Sequence, residues 1–307
     1  DLHPRVRRQR QMCIRDSMKI FQSILCIMLL GISVASWGQE KKAYRLFDAN
    51  GKEVGYREMM KVLKNQDVVF LGEVHNCAIA HWMEYEIVKD LCEVHKGKLA
   101  IGLEMLEADN QLVLDEYVGR LISSDRFEEE ARLWPNYQTD YAAVVGLGRE
   151  YGLKVVATNV PRRYANMVKN GGFEALDKLS AEAKGYIAPL PIDYVPDEEA
   201  AGMFGMMMIG SGKKSNPENV AKAQALKDAT MGWFIAQNLK SKFVHLNGNY
   251  HSDFKKGIIT YLKKYRPNLK IATVCSVRQD EIDKLGEENE GRADFYICVP
   301  TDMTMTY

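Results

Sequence analysis

Short, mostly apolar runs alternate along the chain with longer segments of helical periodicity. Four of these runs cover residues 68–71, 99–103, 153–157 and 243–246, and each is followed directly by glycine or polar residues. Runs of this length are typical of strands that are buried on both faces of a parallel sheet. The pattern therefore predicts β-strands that are connected through α-helices.

The segments between these runs predict amphipathic helices. Residues 78–95 place Met83, Ile87 and Leu91 on one helical face, with charged residues elsewhere. A helix beginning at Asn216, with Pro217 at its first position, is expected to run to about residue 239. The pattern predicts further helices over 56–63, 110–121, 141–151 and 258–265, and further strands over 44–47, 270–275 and 294–299.

This alternation predicts an α/β fold with a mostly parallel sheet flanked by helices on both faces. Residues 39–307 are long enough for one large domain with a single core. The mixed segment 161–212 is long for a plain connection, so it predicts a helical lid or insertion over the sheet.

The first 38 residues are interpreted separately from this domain. Residues 1–17 lack a structural pattern and resemble a translated sequencing adapter, so we interpret them as an artefact. Residues 18–38 have the features of a signal peptide: Lys19, an apolar run, and small residues before a cleavage near Gly38–Gln39. The apolar run is shorter than a membrane span. The sequence thus predicts a secreted or periplasmic protein.

Composition limits the possible functions. The formal net charge is +0, which argues against an electrostatic nucleic-acid surface. Four cysteines follow the predicted signal peptide, and export permits disulfides. Cys275 and Cys298 could pair only if their strands are neighbours, and free buried thiols are the alternative.

Polar side chains follow each of the four apolar runs. In an open parallel sheet the carboxyl ends of the strands form the ligand crevice, so these residues are expected to converge there. They are Glu73, His75, Asn76, Glu104, Asn159, Asn247, Asn249 and His251. Ordinary turns explain any one of them, but the repetition on four strands favours a functional site.

Glu73, His75, Glu104 and His251 are the predicted catalytic and metal-ligating residues. We expect the two glutamates to lie on adjacent strands, where their repulsion raises one pKa unless a cation lies between them. Mixed imidazole and carboxylate ligands suit zinc, manganese or iron, and such an ion can activate water. Alternatively, Glu73 caps a helix or pairs with an arginine, and the histidines are hydrogen-bonded structural residues.

Other polar residues carry weaker predictions. His81 is interpreted as solvated or capping, and His245 as a hydrogen-bonded core histidine. Gln224 and Asp228 lie one turn apart on a face shared with apolar residues, so they need polar partners unless that part of the helix is solvated. Arg162 and Arg163 could clamp an anionic group or lie in solvent.

Two further segments carry little functional weight. A methionine-rich patch at 203–208 could line an apolar pocket or fill a core. Residues 210–215 have the wrong spacing for a phosphate-binding loop, and no strand leads into them.

The ordered motifs resemble those of the ChaN family, whose members are exported, iron-regulated haem-binding proteins. This family is related to the TIKI metalloproteases and the erythromycin esterases, which share its fold. The matching segments are Val69-Phe70-Leu71-Gly72-Glu73-Val74-His75-Asn76, Gly102-Leu103-Glu104-Met105, Asn159-Val160-Pro161-Arg162-Arg163, Gln224 with Asp228, and Asn247-Gly248-Asn249-Tyr250-His251.

The resemblance implies haem as the cofactor and a role in haem or iron uptake with an outer-membrane system. It also implies haems held face to face between the subunits of a homodimer. Tyr141 and Tyr164 are the candidate iron ligands, because the family holds iron through tyrosine, and Arg162 and Arg163 are the candidate cofactor-binding cations.

Two alternatives stay open beside the haem carrier. The Glu and His residues at the sheet edge could form the centre of a metal-dependent esterase or peptidase, with Glu73 or Glu104 as general base. A relative that shares only the fold could bind another small ligand, because a fold alone does not define a function.

Overall fold

The computed structural model describes residues 41–196 and 216–306. The predicted leader and signal peptide, the methionine patch and the segment 210–215 all lie outside the described residues. From residue 43 onward the described residues form one compact unit. Within the described residues, no helix combines the length and the apolar character that crossing a bilayer requires.

Seven strands form one mostly parallel sheet. In chain order they are β1 (Arg45–Asp48), β2 (Val68–Glu73), β3 (Leu99–Glu107), β4 (Lys154–Asn159), β5 (Lys242–Gly248), β6 (Ile271–Gln279) and β7 (Phe295–Pro300). Their order in the sheet is β1-β7-β6-β2-β5-β3-β4. Only the edge pair β1–β7 is antiparallel among these described strands. The predicted α/β class is therefore confirmed.

Helices cover both faces of the sheet. They are α1 (Tyr56–Leu63), α2 (Ala78–His95), α3 (Gln111–Val118), α4 (Ser124–Glu130), α5 (Ala142–Tyr151), α6 (Arg162–Gly171), α7 (Ala181–Lys184), α8 (Pro217–Asn238) and α9 (Ile258–Tyr265). The alternation along β2 explains the two layers: Val69 and Leu71 pack into the core with α2 and α5, and Phe70 packs with α8 and α9.

The long helix α8 begins as its sequence predicts. The side chain of Asn216 accepts a hydrogen bond from the Glu218 amide at 3.0 Å, and Pro217 occupies the first turn. This arrangement satisfies one of the amide groups that have no partner within the helix. The described part of the predicted insertion, α6 and α7 with the turn Phe173–Lys178, packs onto α8.

One expectation about the sheet is wrong. Glu73 and Glu104 do not lie on adjacent strands, because β5 lies between β2 and β3 and pairs with both. β3 is also longer than predicted, so Glu104 lies within the strand, where the register with β4 shifts between Leu103 and Glu107. Such an irregularity re-aims side chains at the end of a sheet.

The described cysteines are free thiols. β6 and β7 are neighbours, yet Cys275 lies opposite Tyr296, and Cys298 lies opposite Val277. The two thiols are therefore offset along the strands and have different polar neighbours. Cys275 Sγ lies 3.2 Å from Asn249, and Cys298 Sγ lies 3.7 Å from Gln279.

Candidate functional site

The carboxyl end of β2 carries the first pair of predicted site residues. Glu73 is the last residue of β2, and its Oε1 accepts a 2.7 Å hydrogen bond from Nδ1 of His75. The same oxygen accepts a 2.7 Å hydrogen bond from the hydroxyl of Tyr141. Glu73 is buried, whereas the side chain of His75 is 41% exposed and packs edge-on against Trp134. The pair therefore joins a buried carboxylate to an accessible imidazole.

Glu104 and His251 form a second, fully buried group with Asp228. His251 Nδ1 donates to Asp228 at 2.6 Å, and His251 Nε2 lies 3.2 Å from Glu104 Oε1. Glu104 Oε2 accepts a 2.8 Å hydrogen bond from the Gly248 amide. Asp228 comes from α8, so one of the two polar residues predicted to share a face of that helix finds its partner at the sheet edge. The other, Gln224, has its Oε1 buried without a hydrogen-bond partner.

Opposite charges control the protonation of this group. Burial lowers the pKa of His251, but Glu104 and Asp228 outweigh it and raise that pKa to about 10. For the carboxyl group of Glu104 burial acts in the opposite direction and raises the pKa, but the positive charge of His251 outweighs it and holds the pKa well below its usual range. His251 is thus an imidazolium with both nitrogens occupied.

Gly248 brings the two groups together at the same edge. A Cβ atom at this position would lie 2.7 Å from Cε1 of His75 and 3.7 Å from Oε2 of Glu104. The missing side chain therefore lets the His75 ring approach the backbone of β5. The four predicted residues lie around this glycine as two pairs, Glu73 with His75 and Glu104 with His251.

The asparagines that follow the strands position backbone and loops. Asn159 donates to the carbonyl of Glu104 at 2.9 Å, which bridges the ends of β3 and β4. Asn249 donates to the carbonyl of Ser276 at 2.7 Å. Asn247 accepts from His245, the buried histidine that was predicted to be a hydrogen-bonded core residue. That prediction is confirmed.

Arg162 and Arg163 belong to a cluster of five charged residues near the end of β3. Arg162 and Arg132 pair with Glu107, and Arg163 and Arg132 pair with Asp109. Three guanidinium groups face two carboxylates in this cluster, which leaves one net positive charge. The side chains of Arg162 and Arg163 remain 59% and 47% exposed, so they can still meet a ligand from solvent.

The two candidate tyrosines lie in different surroundings. Tyr141 is fully buried between Glu73, His81 and Trp134. Tyr164 is 7% exposed; Arg163 lies over its ring and donates to its hydroxyl at 3.1 Å. Burial and the neighbouring carboxylate of Glu73 raise the pKa of Tyr141, so its hydroxyl stays protonated.

The interpretation of His81 as a solvated or capping residue is wrong. His81 is buried, and its Nδ1 lies 2.9 Å from Oε2 of Glu84 and 3.3 Å from Oε2 of Glu73. Its Nε2 donates to the His75 carbonyl at 3.0 Å. Sequence reasoning also missed Glu84 and Asp140, whose Oδ2 lies 3.5 Å from Nε2 of His81. A signal was present, because His81 and Glu84 are three residues apart on a helix whose neighbouring positions are apolar.

One group of described residues has the spacing of a metal site. One ligand atom from each of Glu73, His81 and Glu84 lies within 4.8 Å of the others. Of the four predicted ligands, only Glu73 belongs to this group. The metal-binding role predicted for His75, Glu104 and His251 stays a prediction.

Comparison with solved structures identifies the class of fold. The chain superposes on the ChaN protein of Campylobacter jejuni, solved with cofacially bound haem, with a TM-score of 0.63 and 19% identity, covering 84% of this chain and 98% of that one. The erythromycin esterase EreC is also similar, with a TM-score of 0.43 and 13% identity over 84% of this chain and 83% of that one. The chain thus has the α/β fold of ChaN.

The family follows from the sequence itself. Residues 59–262 of the 307-residue chain, more than half of it, match the family model described as haem-binding uptake, Tiki superfamily, ChaN. The chain therefore belongs to this family. A comparison with curated protein sequences gives no significant match.

Proposed function

We propose that this chain is an exported haem-binding protein that serves haem and iron uptake. The observation that carries the proposal is the family match over residues 59–262, which includes both pairs of residues around Gly248 and the arginine cluster. The fold shared with the haem-bound ChaN of Campylobacter jejuni agrees with it.

The accessible residues at this edge fit a haem group. Iron needs a ligand that it can reach, and the 41% exposure of the His75 side chain meets that requirement. Hydrogen bonding of Nδ1 to Glu73 orients the ring and leaves Nε2 as the nitrogen for iron. Trp134 beside His75 offers an aromatic surface to a porphyrin face, which is flat and apolar.

The arginine cluster supports the same proposal. Haem carries two propionate carboxylates, and guanidinium groups bind carboxylates through paired hydrogen bonds. Arg132 belongs to this cluster and precedes Trp134 by two residues, so the cluster and the aromatic surface share one segment. We propose that Arg162 and Arg163 contact the propionates.

We propose His75 as the iron ligand, with Tyr141 and Tyr164 as the competing candidates. Both tyrosines are buried, and the Tyr141 hydroxyl already donates to Glu73. Ligation by either tyrosine therefore requires the edge to open. A bound haem supplies the iron cargo, and the protein orients it through the imidazole and the arginines.

Two further parts of the proposal concern assembly and location. By analogy with the cofacial haems of the Campylobacter protein, we propose that haem joins two copies of this chain in a homodimer. The signal-like residues 18–38 support export, and thus a supply of haem from an outer-membrane uptake system. Size-exclusion chromatography with light scattering, with and without haemin, measures the change in mass.

Titration of the purified protein with haemin tests the proposed function. A saturable shift of the Soret band is expected, with at least a tenfold loss of affinity in His75→Ala and with Tyr141→Phe and Tyr164→Phe close to wild type. His95→Ala is the matched control. It removes a histidine from the far end of α2, an 18-residue helix that is about 27 Å long and begins beside the site.

Each other outcome has a definite meaning. Loss of binding in Tyr141→Phe or Tyr164→Phe, with His75→Ala unaffected, overturns the imidazole ligand and favours tyrosine. Binding that does not saturate in the wild type overturns the haem function altogether. The hydrolase alternative gains no argument from the similarity to EreC, because fold similarity does not carry an activity.

A further inference from the structure

A further group of buried polar residues, distinct from the group of Glu104, Asp228 and His251, lies beneath the accessible edge. It consists of Glu73, from the end of β2, with His81 and Glu84, from the first two turns of α2. We call these three residues the inner cluster. Their side chains are at most 4% exposed, and His81 Nδ1 faces both carboxylates, at 2.9 Å from Glu84 and 3.3 Å from Glu73.

Hydrogen bonding leaves this cluster incomplete. His81 Nε2 donates to the His75 carbonyl, so Nδ1 is the ring nitrogen that faces the two carboxylates. In the ion-free protein this nitrogen holds a proton, which a bound cation would displace. A proton on Nδ1 satisfies Glu84 Oε2. The buried oxygens Glu73 Oε2 and Glu84 Oε1 still have no hydrogen-bond partner. Buried polar atoms in native proteins are nearly always paired, so these two oxygens need a proton or a cation between them.

We propose that the inner cluster binds one divalent transition-metal ion, with Glu73, His81 and Glu84 as ligands. The ligand atoms already lie within 4.8 Å of one another, so an ion can bind without rearrangement of the backbone. Two carboxylates and one neutral imidazole carry a charge that a divalent cation balances. This mixture of oxygen and nitrogen ligands suits zinc, manganese or iron.

The surroundings are those of a metal site. The hydrogen bond from His81 Nε2 to the His75 carbonyl is the contact that usually orients a metal-binding imidazole. Tyr141 plays the same part for Glu73, because its hydroxyl donates to Oε1.

This ion is separate from the haem iron in the proposed function. The inner cluster is buried, whereas the proposed haem ligand His75 lies on the accessible side of Glu73. Two hydrogen bonds connect His75 to the inner cluster. The ring of His75 donates to Glu73, and the backbone carbonyl of His75 accepts from His81. The bound ion thus stabilises the segment that presents His75.

Metal binding by the haem-free, chelator-treated full chain tests this proposal, with Zn²⁺ and Mn²⁺ as the probes. One ion per chain is expected by elemental analysis after dialysis, together with a rise in the melting temperature. Glu84→Gln and His81→Gln are each expected to lower the affinity at least tenfold. Glu93→Gln, an exposed glutamate on the same helix, is expected to match wild type.

The glutamine at position 84 keeps the size of glutamate and can donate to Glu73, so this variant is expected to fold, which circular dichroism checks. Wild type that binds no stoichiometric ion, or a Glu84→Gln protein that binds as wild type does, overturns the proposal. The proposal is also overturned if His251→Gln loses the ion and Glu84→Gln keeps it. That result would assign the ion to the group that contains Glu104. Haemin binding is read separately from the Soret band, so failure of the haem proposal leaves this result unaffected.

Discussion

The hydroxyl of Tyr141 donates a 2.7 Å hydrogen bond to Oε1 of Glu73, the oxygen that also accepts from His75. This relationship connects the π-helical turn Tyr137–Tyr141 to the end of β2. Because the acceptor is a buried carboxylate, Tyr141 and His75 share the task of stabilising its negative charge. Tyr141 thus stabilises the Glu73 carboxylate from inside the protein. Its substitution by phenylalanine distinguishes this stabilising role from a role as iron ligand.

Tyr141→Phe is expected to lower the free energy of unfolding by about 1–3 kcal/mol, because a buried carboxylate loses one donor. The haemin affinity is expected to change by less than about threefold, since the affected hydroxyl is inside the protein. Urea unfolding measures the free energy of unfolding, and an unchanged m-value shows that the two proteins can be compared. Haemin titration measures the affinity. Tyr85→Phe is the control, because it removes the same hydroxyl group from a half-buried tyrosine on α2. Equal stability of Tyr141→Phe and wild type would contradict the importance of this hydrogen bond.

Gly248→Ala is expected to weaken haemin binding roughly tenfold while the fold is retained. The new methyl group would come within 2.7 Å of the His75 ring, which is the mobile end of a side chain and can move aside. Movement of the ring takes Nε2 out of its position, and misplacement by about 1 Å is enough for a loss of this size. Gly146→Ala is the control, because a Cβ there meets nothing within 4 Å. Unchanged affinity in Gly248→Ala would argue against His75 as the ligand.

His245 is expected to make the stability depend on pH between about 4 and 6.5. Burial lowers the pKa of its imidazole from 6.5 to about 4 in the folded protein, so the unfolded chain takes up the proton first. Its contribution is therefore complete above pH 6.5 and is lost as the pH falls towards 4, by on the order of 3 kcal/mol.

Comparison of wild type with His245→Gln measures this contribution. Urea unfolding at several pH values between 4.5 and 7.5 is the assay. The stability advantage of wild type is expected to decrease steadily as the medium becomes more acidic. An advantage that stays constant over this interval would show that His245 does not titrate there.

Arg162→Gln and Arg163→Gln are expected to weaken haemin binding by roughly three- to tenfold each, with a larger effect at low ionic strength, where charges are less screened. Arg126→Gln is the matched control, because Arg126 is a highly exposed arginine paired with Glu129 on α4. Titrations at two salt concentrations test this. If Arg126→Gln lowered the haemin affinity by the same factor, the effect would come from the net charge of the protein and not from contacts with the propionates.

Local patterns along the chain account for much of the secondary structure. The helices over 56–63, 78–95 and 258–265 begin and end where the hydrophobic periodicity predicts. Strand ends are less well predicted, because β3 continues through Glu104 to Glu107. A polar residue normally marks the end of a buried strand, and Glu104 is tolerated inside one because His251 and the Gly248 amide satisfy it.

The α/β class and the convergence of polar residues at one sheet edge can be predicted from the residues alone, because both depend on local periodicity and on the common direction of parallel strands. The position of β5 between β2 and β3, and the contact of Glu73 with His81 and Glu84 inside the protein, are seen only in the folded chain. Strand order depends on how the connecting helices pack, and a buried carboxylate takes its partners from distant elements. Neither is encoded in the residues on either side of the strand.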